Sequence, residues 1–323
     1  MSACSGVAEP RSNGTASRFQ QSLAVDFYIL TALLPPMLSV SALSTYLFCA
    51  RKLFLQQALK LREPEKPATL LGTIRHEALA AMHQGDERVI LETEAVLPPA
   101  ELQLRYRTAY AQALRDTILR RKQQLKSLGY SLPQVFYKLW GLALREAEQR
   151  SHFAFRLMEA HQAHGSALWQ LLPQTRSEVA LSSAALGLRG IVDHIEVSDG
   201  DIIPIEIKSG RAPERGAWES HQVQLGAYLL LLSEQHQKQI TTGFIRYVDE
   251  GEERSVILNP FLRHTILHIR DQAAALIRSS EIPPYTANRN KCASCGLREQ
   301  CYDQPFITER LAESFTIREQ LQK

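Results

Sequence analysis

The chain has 323 residues, of which 45% are hydrophobic and 22% charged, and its formal net charge at pH 7 is +3. This composition is ordinary for a folded globular protein, and it excludes a wholly disordered chain, a collagen-like chain and a disulfide-rich miniprotein. A charge of +3 over this length produces a weak field, so composition alone does not predict a nucleic-acid partner. Function must be inferred from local patterns.

Residues 1–36 are expected to form a leader outside the folded core, loosely ordered at least over its first 20 residues, which are small and polar. The apolar run 22–36 contains Asp26 and ends at Pro35-Pro36, so it is shorter than the ~20 residues of a membrane-spanning helix. It also lacks a basic leader and a small-residue cleavage site. We therefore expect a cytoplasmic protein with no membrane partner.

Helical patterns dominate the next part of the chain. Residues 37–97 are expected to hold the N-terminal helices and the start of the core, with helices over 41–60 and 72–83 and a strand over 88–97. Residues 98–175 consist mainly of helix formers with few breakers, which predicts a helical insertion of several helices.

Short β-branched runs separated by turn residues follow in residues 176–280, and residues 281–323 form a segment that contains three cysteines. The pattern predicts strands over 178–186, 187–197, 201–208, 243–248 and 254–258, and helices over 221–234 and 261–278. Strands, a helix and further strands indicate an α/β or α+β class with a helical insert.

An acidic pair stands out in the predicted hairpin. Asp199-Gly200 is a strong two-residue turn signal, and with that turn Asp193 lies directly opposite Glu206, while Lys208 shares the face of Glu206. Like charges so placed destabilise a strand pair. A divalent cation such as Mg²⁺ or Mn²⁺ would relieve the repulsion, and Lys208 could then orient a water molecule. The alternative is a solvated hairpin face without chemistry.

Other side chains can complete such a site. His76 on the second predicted helix can bind a divalent metal, and Glu178 at the start of a strand can supply another oxygen. Gln224 and Tyr228 lie four residues apart on one helix face, from which they can contact DNA or position the ligands. Each also has an ordinary structural interpretation, as a surface or core residue.

The cysteines suggest a second metal centre. Cys49 lies in the first predicted helix, and the other three follow the pattern Cys292-x₂-Cys295-x₅-Cys301. Clustered cysteines in an intracellular chain are more often metal ligands than disulfides. The spacing leaves zinc and an iron–sulfur cluster open, and free thiols are the remaining alternative.

Together these residues resemble the PD-(D/E)XK nuclease superfamily in its RecB-like branch. The matching segments are "GTIRH" (His76), "RGIVD" (Asp193), "EIKSG" (Glu206 and Lys208) and "QLGAY" (Gln224 and Tyr228). The resemblance implies an α/β fold, a restriction-endonuclease-like mixed sheet flanked by helices, over 176–280. It also implies that the carboxylates bind Mg²⁺ or Mn²⁺ and that Lys208 assists phosphodiester hydrolysis.

The upstream cysteine and the C-terminal cysteine triplet resemble the iron–sulfur exonucleases of CRISPR adaptation, the Cas-four family. The first motif of that family usually reads Cys-Pro-Arg, and Ala50 replaces the Pro here. The resemblance implies a [4Fe-4S] cluster on the four cysteines that staples residues 281–323 to the core. It further implies cleavage of DNA ends or single strands in prespacer processing, with CRISPR integrase proteins as partners.

Two alternatives to this function remain open from the sequence. One is a non-catalytic module that binds DNA ends within an integrase complex, and the other is the nuclease subunit of a repair helicase–nuclease. The insertion adds a basic stretch, with seven Lys or Arg against two acids between Glu101 and Lys126. It is interpretable as a DNA clamp, a docking surface or a solvated helix face.

Overall fold

The computed structural model describes residues 37–198 and 200–321, with side chains described as far as residue 314. The predicted leader, its apolar run and Cys4 lie outside the described residues, as does Asp199 of the predicted turn. None of the helices in the described ranges is both long enough and apolar enough to cross a membrane.

A six-stranded mixed sheet forms the centre of the protein. Its strands are β1 (Leu38–Ser39), β2 (Gln174–Ser183), β3 (Leu188–Ser198), β4 (Asp201–Lys208), β5 (Thr242–Tyr247) and β6 (Glu252–Ile257). The order is β1-β3-β4-β5-β6, and β2 pairs with β3 along its other side. β3 pairs antiparallel with β2 and β4 but parallel with β1, and β4 is parallel to β5.

Thirteen helices surround the sheet in the described part of the chain. Those before β2 are α1 (Val40–Phe48), α2 (Ala50–Gln57), α3 (Pro67–Gln84), α4 (Asp86–Leu91), α5 (Pro99–Arg120), α6 (Lys122–Ser127), α7 (Leu132–His161) and α8 (Gly165–Leu171). Those after β4 are α9 (Glu219–Gln235), α10 (Pro260–Arg278), α11 (Arg289–Ser294), α12 (Arg298–Tyr302) and α13 (Gln304–Leu321). The predicted class, a mixed sheet flanked by helices, is confirmed.

Local signals explain several helix boundaries. Ser131 caps α7 with a reciprocal capping box to Gln134, which satisfies two backbone donors that the first turn leaves free. The predicted helix over 41–60 is interrupted at Cys49, whose extended backbone separates α1 from α2. That interruption turns the Cys49 side chain toward the C-terminal segment.

One prediction is wrong: residues 88–97 form no strand. Residues 86–91 form helix α4, and residues 92–97 are irregular. The apolar Val89 and Ile90 are buried among insertion helices and not in the sheet, and the side chain of Asp86 accepts a hydrogen bond from Tyr110 on α5. Tertiary packing therefore decided the conformation of an apolar run too short to show a period.

The core lies on both faces of the sheet. On one face the insertion helices share an apolar cluster with Ile207 of β4 and with Val248, which follows β5. On the other face, α1, α9 and α10 pack against β2 and β3. A third cluster joins α2 to the C-terminal helices through Phe54, Leu297 and Ile307.

Buried polar side chains also join the insertion to the back of β3. His194 on β3 contacts His83 on α3, and Nε2 of His83 lies 3.1 Å from Oε2 of Glu146 on α7. Glu146 pairs in turn with Arg246 on β5. Burial raises the pKa of Glu146, but His83 and Arg246 outweigh burial and hold that pKa at about 2. The insertion is thus fixed to the sheet by charges as well as by apolar contact.

Gly190→Ala is expected to destabilise the protein by about 1–3 kcal/mol, because an added methyl group overpacks a filled core. A Cβ at residue 190 would lie 2.7 Å from a ring carbon of Tyr228 and 3.1 Å from Val40. The matched control is Gly72→Ala in α3, where a Cβ meets nothing within 4 Å. This substitution should increase the free energy of unfolding by as much as about 1 kcal/mol. Urea unfolding of both variants measures the difference, and an unaffected Gly190→Ala variant would contradict this packing.

Candidate active site

Three carboxylates lie in one row across three adjacent strands. The residues before and after Glu178 in β2 pair with the residues after and before Asp193 in β3, so Glu178 lies opposite Asp193. The β3–β4 pairing runs as far as His194 and Ile205, so Asp193 and Glu206 are the next residues of their strands. The register predicted from the hairpin is therefore the one observed.

The strands separate at this row. Where the β3–β4 pairing ends, Oδ2 of Asp193 accepts a hydrogen bond of 2.7 Å from the backbone N–H of Ile207. A side chain thus satisfies a donor that a continuous ladder would give to a backbone carbonyl. This hydrogen bond holds the Asp193 carboxylate in the opening between the strands.

His76 on α3 approaches the row from the helical side. Its Nδ1 lies 3.0 Å from Oδ1 of Asp193. Among the described residues, one group of three or more potential metal ligands has its ligand atoms within 4.8 Å of one another: His76, Glu178 and Asp193. Burial lowers the pKa of His76, but the hydrogen bond and charge of Asp193 outweigh burial, and the net pKa is raised.

Glu206 is the most buried member of the row. One of its oxygens, Oε1, accepts hydrogen bonds from Nζ of Lys208 at 2.7 Å and from Nε2 of Gln224 at 2.6 Å. The other, Oε2, is buried without a partner in the described structure. Burial raises the pKa of Glu206 to about 7, and the charge of Asp193 adds to that rise against the opposing charge of Lys208.

This donor set fits a divalent cation. It offers carboxylate oxygens, which Mg²⁺ and Mn²⁺ prefer, and one imidazole. A buried carboxylate oxygen without a partner is costly, and a cation is the partner that would remove the cost at Oε2 of Glu206. The ligand atoms that lie close together belong to His76, Glu178 and Asp193, whereas Glu206, which the sequence predicted as a ligand, lies outside that group on the next strand of the row.

Glu178 has an unusual backbone that the sequence did not reveal. Its φ is +54°, within a region that a side chain with a Cβ rarely occupies. Such strain is found at functional sites more often than elsewhere. Burial and the neighbouring charge of Asp193 raise the pKa of Glu178, as expected for a carboxylate held close to others.

The two residues predicted on α9 have different positions. Gln224 reaches the site, since its Oε1 accepts a hydrogen bond of 2.8 Å from Nζ of Lys208 while its Nε2 contacts Glu206. Tyr228, one turn later, is 3% exposed and belongs to the apolar cluster beneath β3. Burial and the charge of Glu206 raise the pKa of the Tyr228 hydroxyl, which also hydrogen-bonds with Gln224, so the supporting role predicted for Tyr228 stays a prediction.

Sequence reasoning missed two ion pairs beside His76. Glu77, the next residue, pairs with Arg121 at the end of α5. Arg75, the preceding residue, pairs with Asp249, whose carboxylate also accepts from the backbone N–H of Gly210. These pairs hold α3 between the insertion and the loop after Lys208. The only sequence signal for them was three consecutive polar residues on one helix.

The four predicted cysteines line one pocket. Cys49 lies at the junction of α1 and α2, and its Sγ accepts a 3.4 Å hydrogen bond from the backbone N–H of Lys52. Cys292 lies on α11, Cys295 ends that helix, and Cys301 lies on α12. The fold thus brings together thiols from near both ends of the described chain.

The four thiols share this pocket without standing as close together as the ligands of one bound zinc ion. Four sulfurs about 2.3 Å from one zinc would lie roughly 3.8 Å apart. No three of the cysteine Sγ atoms, all of which fall in the described part of the chain, lie within 4.8 Å of one another.

Arg51 forms part of the wall of this pocket, and the sequence analysis missed its role. It is 7% exposed; its Nε lies 3.2 Å from Sγ of Cys301, and its Nη1 donates to the carbonyl oxygen of Pro283. Its guanidinium lies over the ring of Tyr285, 4.1 Å from the centroid. Burial raises the pKa of the Cys301 thiol, and Arg51 opposes that rise. The sequence signal for this role was the position of the Arg two residues after Cys49.

A family model described as the PD-(D/E)XK nuclease superfamily matches residues 37–302. A CRISPR-associated exonuclease Cas4/endonuclease Cas1 fusion from Leptospira interrogans is 39% identical over 136 residues, 40% of this chain and 25% of that protein. Another such fusion, from Myxococcus xanthus, is 35% identical over 130 residues, 38% of this chain and 22% of that protein. A CRISPR-associated exonuclease Cas4 from Rhodospirillum rubrum is 29% identical over 182 residues, 52% of this chain and 53% of that protein.

The chain spans about half or less of the length of these curated relatives. The range matched by the family model contains the carboxylate row, His76, Lys208 and all four cysteines of the pocket. The resemblance drawn from the sequence, to RecB-like nucleases and to the Cas-four exonucleases, is confirmed by these comparisons.

Glu206→Gln is expected to stabilise the metal-free protein at neutral and alkaline pH. The folded-state pKa of Glu206, about 7, lies above the ordinary 4.5. As the pH rises, the unfolded chain loses this proton first, so stability falls, by up to about 3 kcal/mol. Gln has no charge to bury, so the variant should exceed the wild type in free energy of unfolding most above pH 7 and not at all below about pH 4.5. Urea unfolding in EDTA across this range measures it, and a pH-independent difference would contradict it.

Proposed function

Because this chain belongs to the PD-(D/E)XK nuclease superfamily, we propose that it is a divalent-metal-dependent nuclease that hydrolyses phosphodiester bonds in DNA. The observation that carries the proposal is the carboxylate row with Lys208 hydrogen-bonded to its most buried member. Catalytic residues are Asp193, Glu206 and Lys208. His76, Asp193 and Glu206 hold Mg²⁺ or Mn²⁺, with Glu178 in a supporting position.

When bound, the cation supplies a Lewis acid that offsets charge on the phosphoryl oxygens and lowers the pKa of water. The protein's own part is to hold the ligands in fixed positions. Asp193 is held by the N–H of Ile207 and Glu206 by Gln224. His76 must give up the proton that Asp193 stabilises, so metal binding releases protons.

Lys208 acts on the reacting groups from the side of Glu206. Its ammonium has three N–H donors, of which one is directed to Glu206 and another to Gln224. The third is available to a water molecule or a phosphate oxygen. A fixed cation at that position stabilises the negative charge that develops in the transition state.

The substrate we propose is DNA with free ends or single strands, cleaved as by an exonuclease. The curated relatives named exonuclease Cas4, some fused to endonuclease Cas1, support this class and favour a Cas1-type integrase as partner. The role that follows is the trimming of prespacers in CRISPR adaptation, in the cytoplasm.

We propose a [4Fe-4S] cluster on Cys49, Cys292, Cys295 and Cys301. The shared pocket and the cationic Arg51 beside Cys301 support it, since a cation stabilises the thiolate that binds iron. Under this proposal residues 37–97 and 176–280 form the nuclease core. Residues 98–175 are an insertion, and the cluster staples residues 281–323 to the core.

Lys208→Ala is expected to lower metal-dependent cleavage of labelled single-stranded DNA about 100-fold or more, because an electrostatic contact to the transition state is lost. Binding of the same DNA in EDTA should be little changed. Lys238→Ala is the matched control, since Lys238 forms its ion pair with Asp201 at the protein surface. Full activity of Lys208→Ala would remove Lys208 from the catalytic site.

Cys301→Ser is expected to remove the brown colour and the iron and acid-labile sulfide of protein purified without oxygen. Arg51→Gln should leave the ligands in place but make the cluster easier to lose, because Cys301 loses its cationic neighbour. Cys4→Ser, outside the proposed set, is the control and should keep a full cluster. Zinc in place of iron and sulfide in the wild type would show the cluster assignment to be wrong.

A further inference from the structure

The helical insertion has a face of aromatic and arginine side chains that have no role in the proposed reaction. Two cavities lie side by side along α5 and share Arg115. We call the surface between them the aromatic–arginine face. It comprises Arg107, Arg115 and Leu119 on α5 and Phe136, Tyr137 and Trp140 on α7.

Of the aromatic side chains of this face, Tyr137 is exposed, whereas Phe136 and Trp140 are half-buried against the core of the insertion. Phe136 and Trp140 are stacked, with ring centroids 5.4 Å apart and planes 17° from parallel. Tyr137 beside them is 76% exposed and Leu119 is 49% exposed. Contiguous exposed apolar groups mark a binding surface more often than scattered single residues do.

The arginines of the face have no acidic partners within the described ranges. Neither Arg107 nor Arg115 forms an ion pair with a described carboxylate, and Arg115 donates only to the side-chain oxygen of Gln112. Arg88, in the first cavity, is likewise exposed and without an ion pair among described side chains. The first cavity is also lined by Glu92 and Glu101, so its four arginines outnumber two carboxylates and leave a net positive charge, which favours an anionic ligand.

The same helix leads from this face to the active site. Arg121, which ends α5, pairs with Glu77, the neighbour of His76. Leu119 and Arg115 lie within two helical turns of Arg121, and Arg107 lies about 21 Å from Arg121 along the helix axis. A strand leaving the active site along α5 would meet the aromatic–arginine face.

We propose that the aromatic–arginine face binds single-stranded DNA that extends beyond the active site, an inference that rests on the proposed nuclease function. Unpaired bases can stack on exposed rings, and guanidinium groups hold phosphates and also stack on bases. A duplex hides its base faces and would use only the arginines. The face thus measures or retains the part of a strand that is not being cleaved.

The test compares two fluorescein-labelled oligothymidylates, of about 6 and about 20 nucleotides, by anisotropy in EDTA. The double variant Arg115→Ala/Tyr137→Ala should weaken binding of the long strand about tenfold or more, and lower its salt dependence. Binding and metal-dependent cleavage of the short strand should be unchanged. The matched control is Phe261→Ala/Arg263→Ala, an equally exposed aromatic–arginine pair on α10.

Unchanged affinity of the double variant for the long strand overturns the proposal and leaves the face to a protein partner. An equal loss in the control variant, or an equal loss for a duplex of the same length, also overturns it. Thermal unfolding checks that both variants remain folded. If the wild type cleaves neither strand with Mn²⁺, the nuclease proposal fails, while the binding comparison still decides the role of this face.

Discussion

Mutual repulsion among carboxylates is the constraint around which this site is built. Glu178, Asp193 and Glu206 cross three hydrogen-bonded strands in one row, where like charges destabilise pairing. The fold accommodates them by ending the β3–β4 ladder at the row, by giving Asp193 a backbone donor, and by burying Glu206 against Lys208. The residual cost is visible in the raised pKa of Glu206, which a bound cation would remove.

The helical insertion helps to fix the opening between β3 and β4 at the carboxylate row. Its helix α7 brings Glu146 to the buried histidine pair behind β3, and His194 of that pair directly follows Asp193 in the chain. On the other side, Arg121 ties the end of α5 to α3 next to His76. Ligands from different elements keep a fixed geometry only when their supports are fixed too. A segment that looks like an addition in the sequence thus braces two ligands.

The cysteine pocket serves a similar purpose at the other end of the molecule. Apolar contacts of Phe54 and Leu297 already join α2 to the C-terminal helices, and Arg51 crosses between the two segments through Cys301, Pro283 and Tyr285. A bound cluster would therefore strengthen an interface that the chain forms by packing. The same contacts hold α2 in place, and with it α1, whose Val40 lies beside Gly190 of the sheet.

The sequence by itself determined the strand core and the hairpin register, because alternation and turn chemistry are local and fix which side chains face each other. The same local rules predicted that Asp193 lies opposite Glu206 with Lys208 on that face, whereas His76 was predicted through the resemblance to a nuclease family. Only the tertiary structure decided that residues 86–91 are helical and that Glu178 has a positive φ. It also decided that Gln224, and not Tyr228, hydrogen-bonds directly with Glu206 and Lys208. Those outcomes depend on packing between distant segments, which leaves no local period in the sequence.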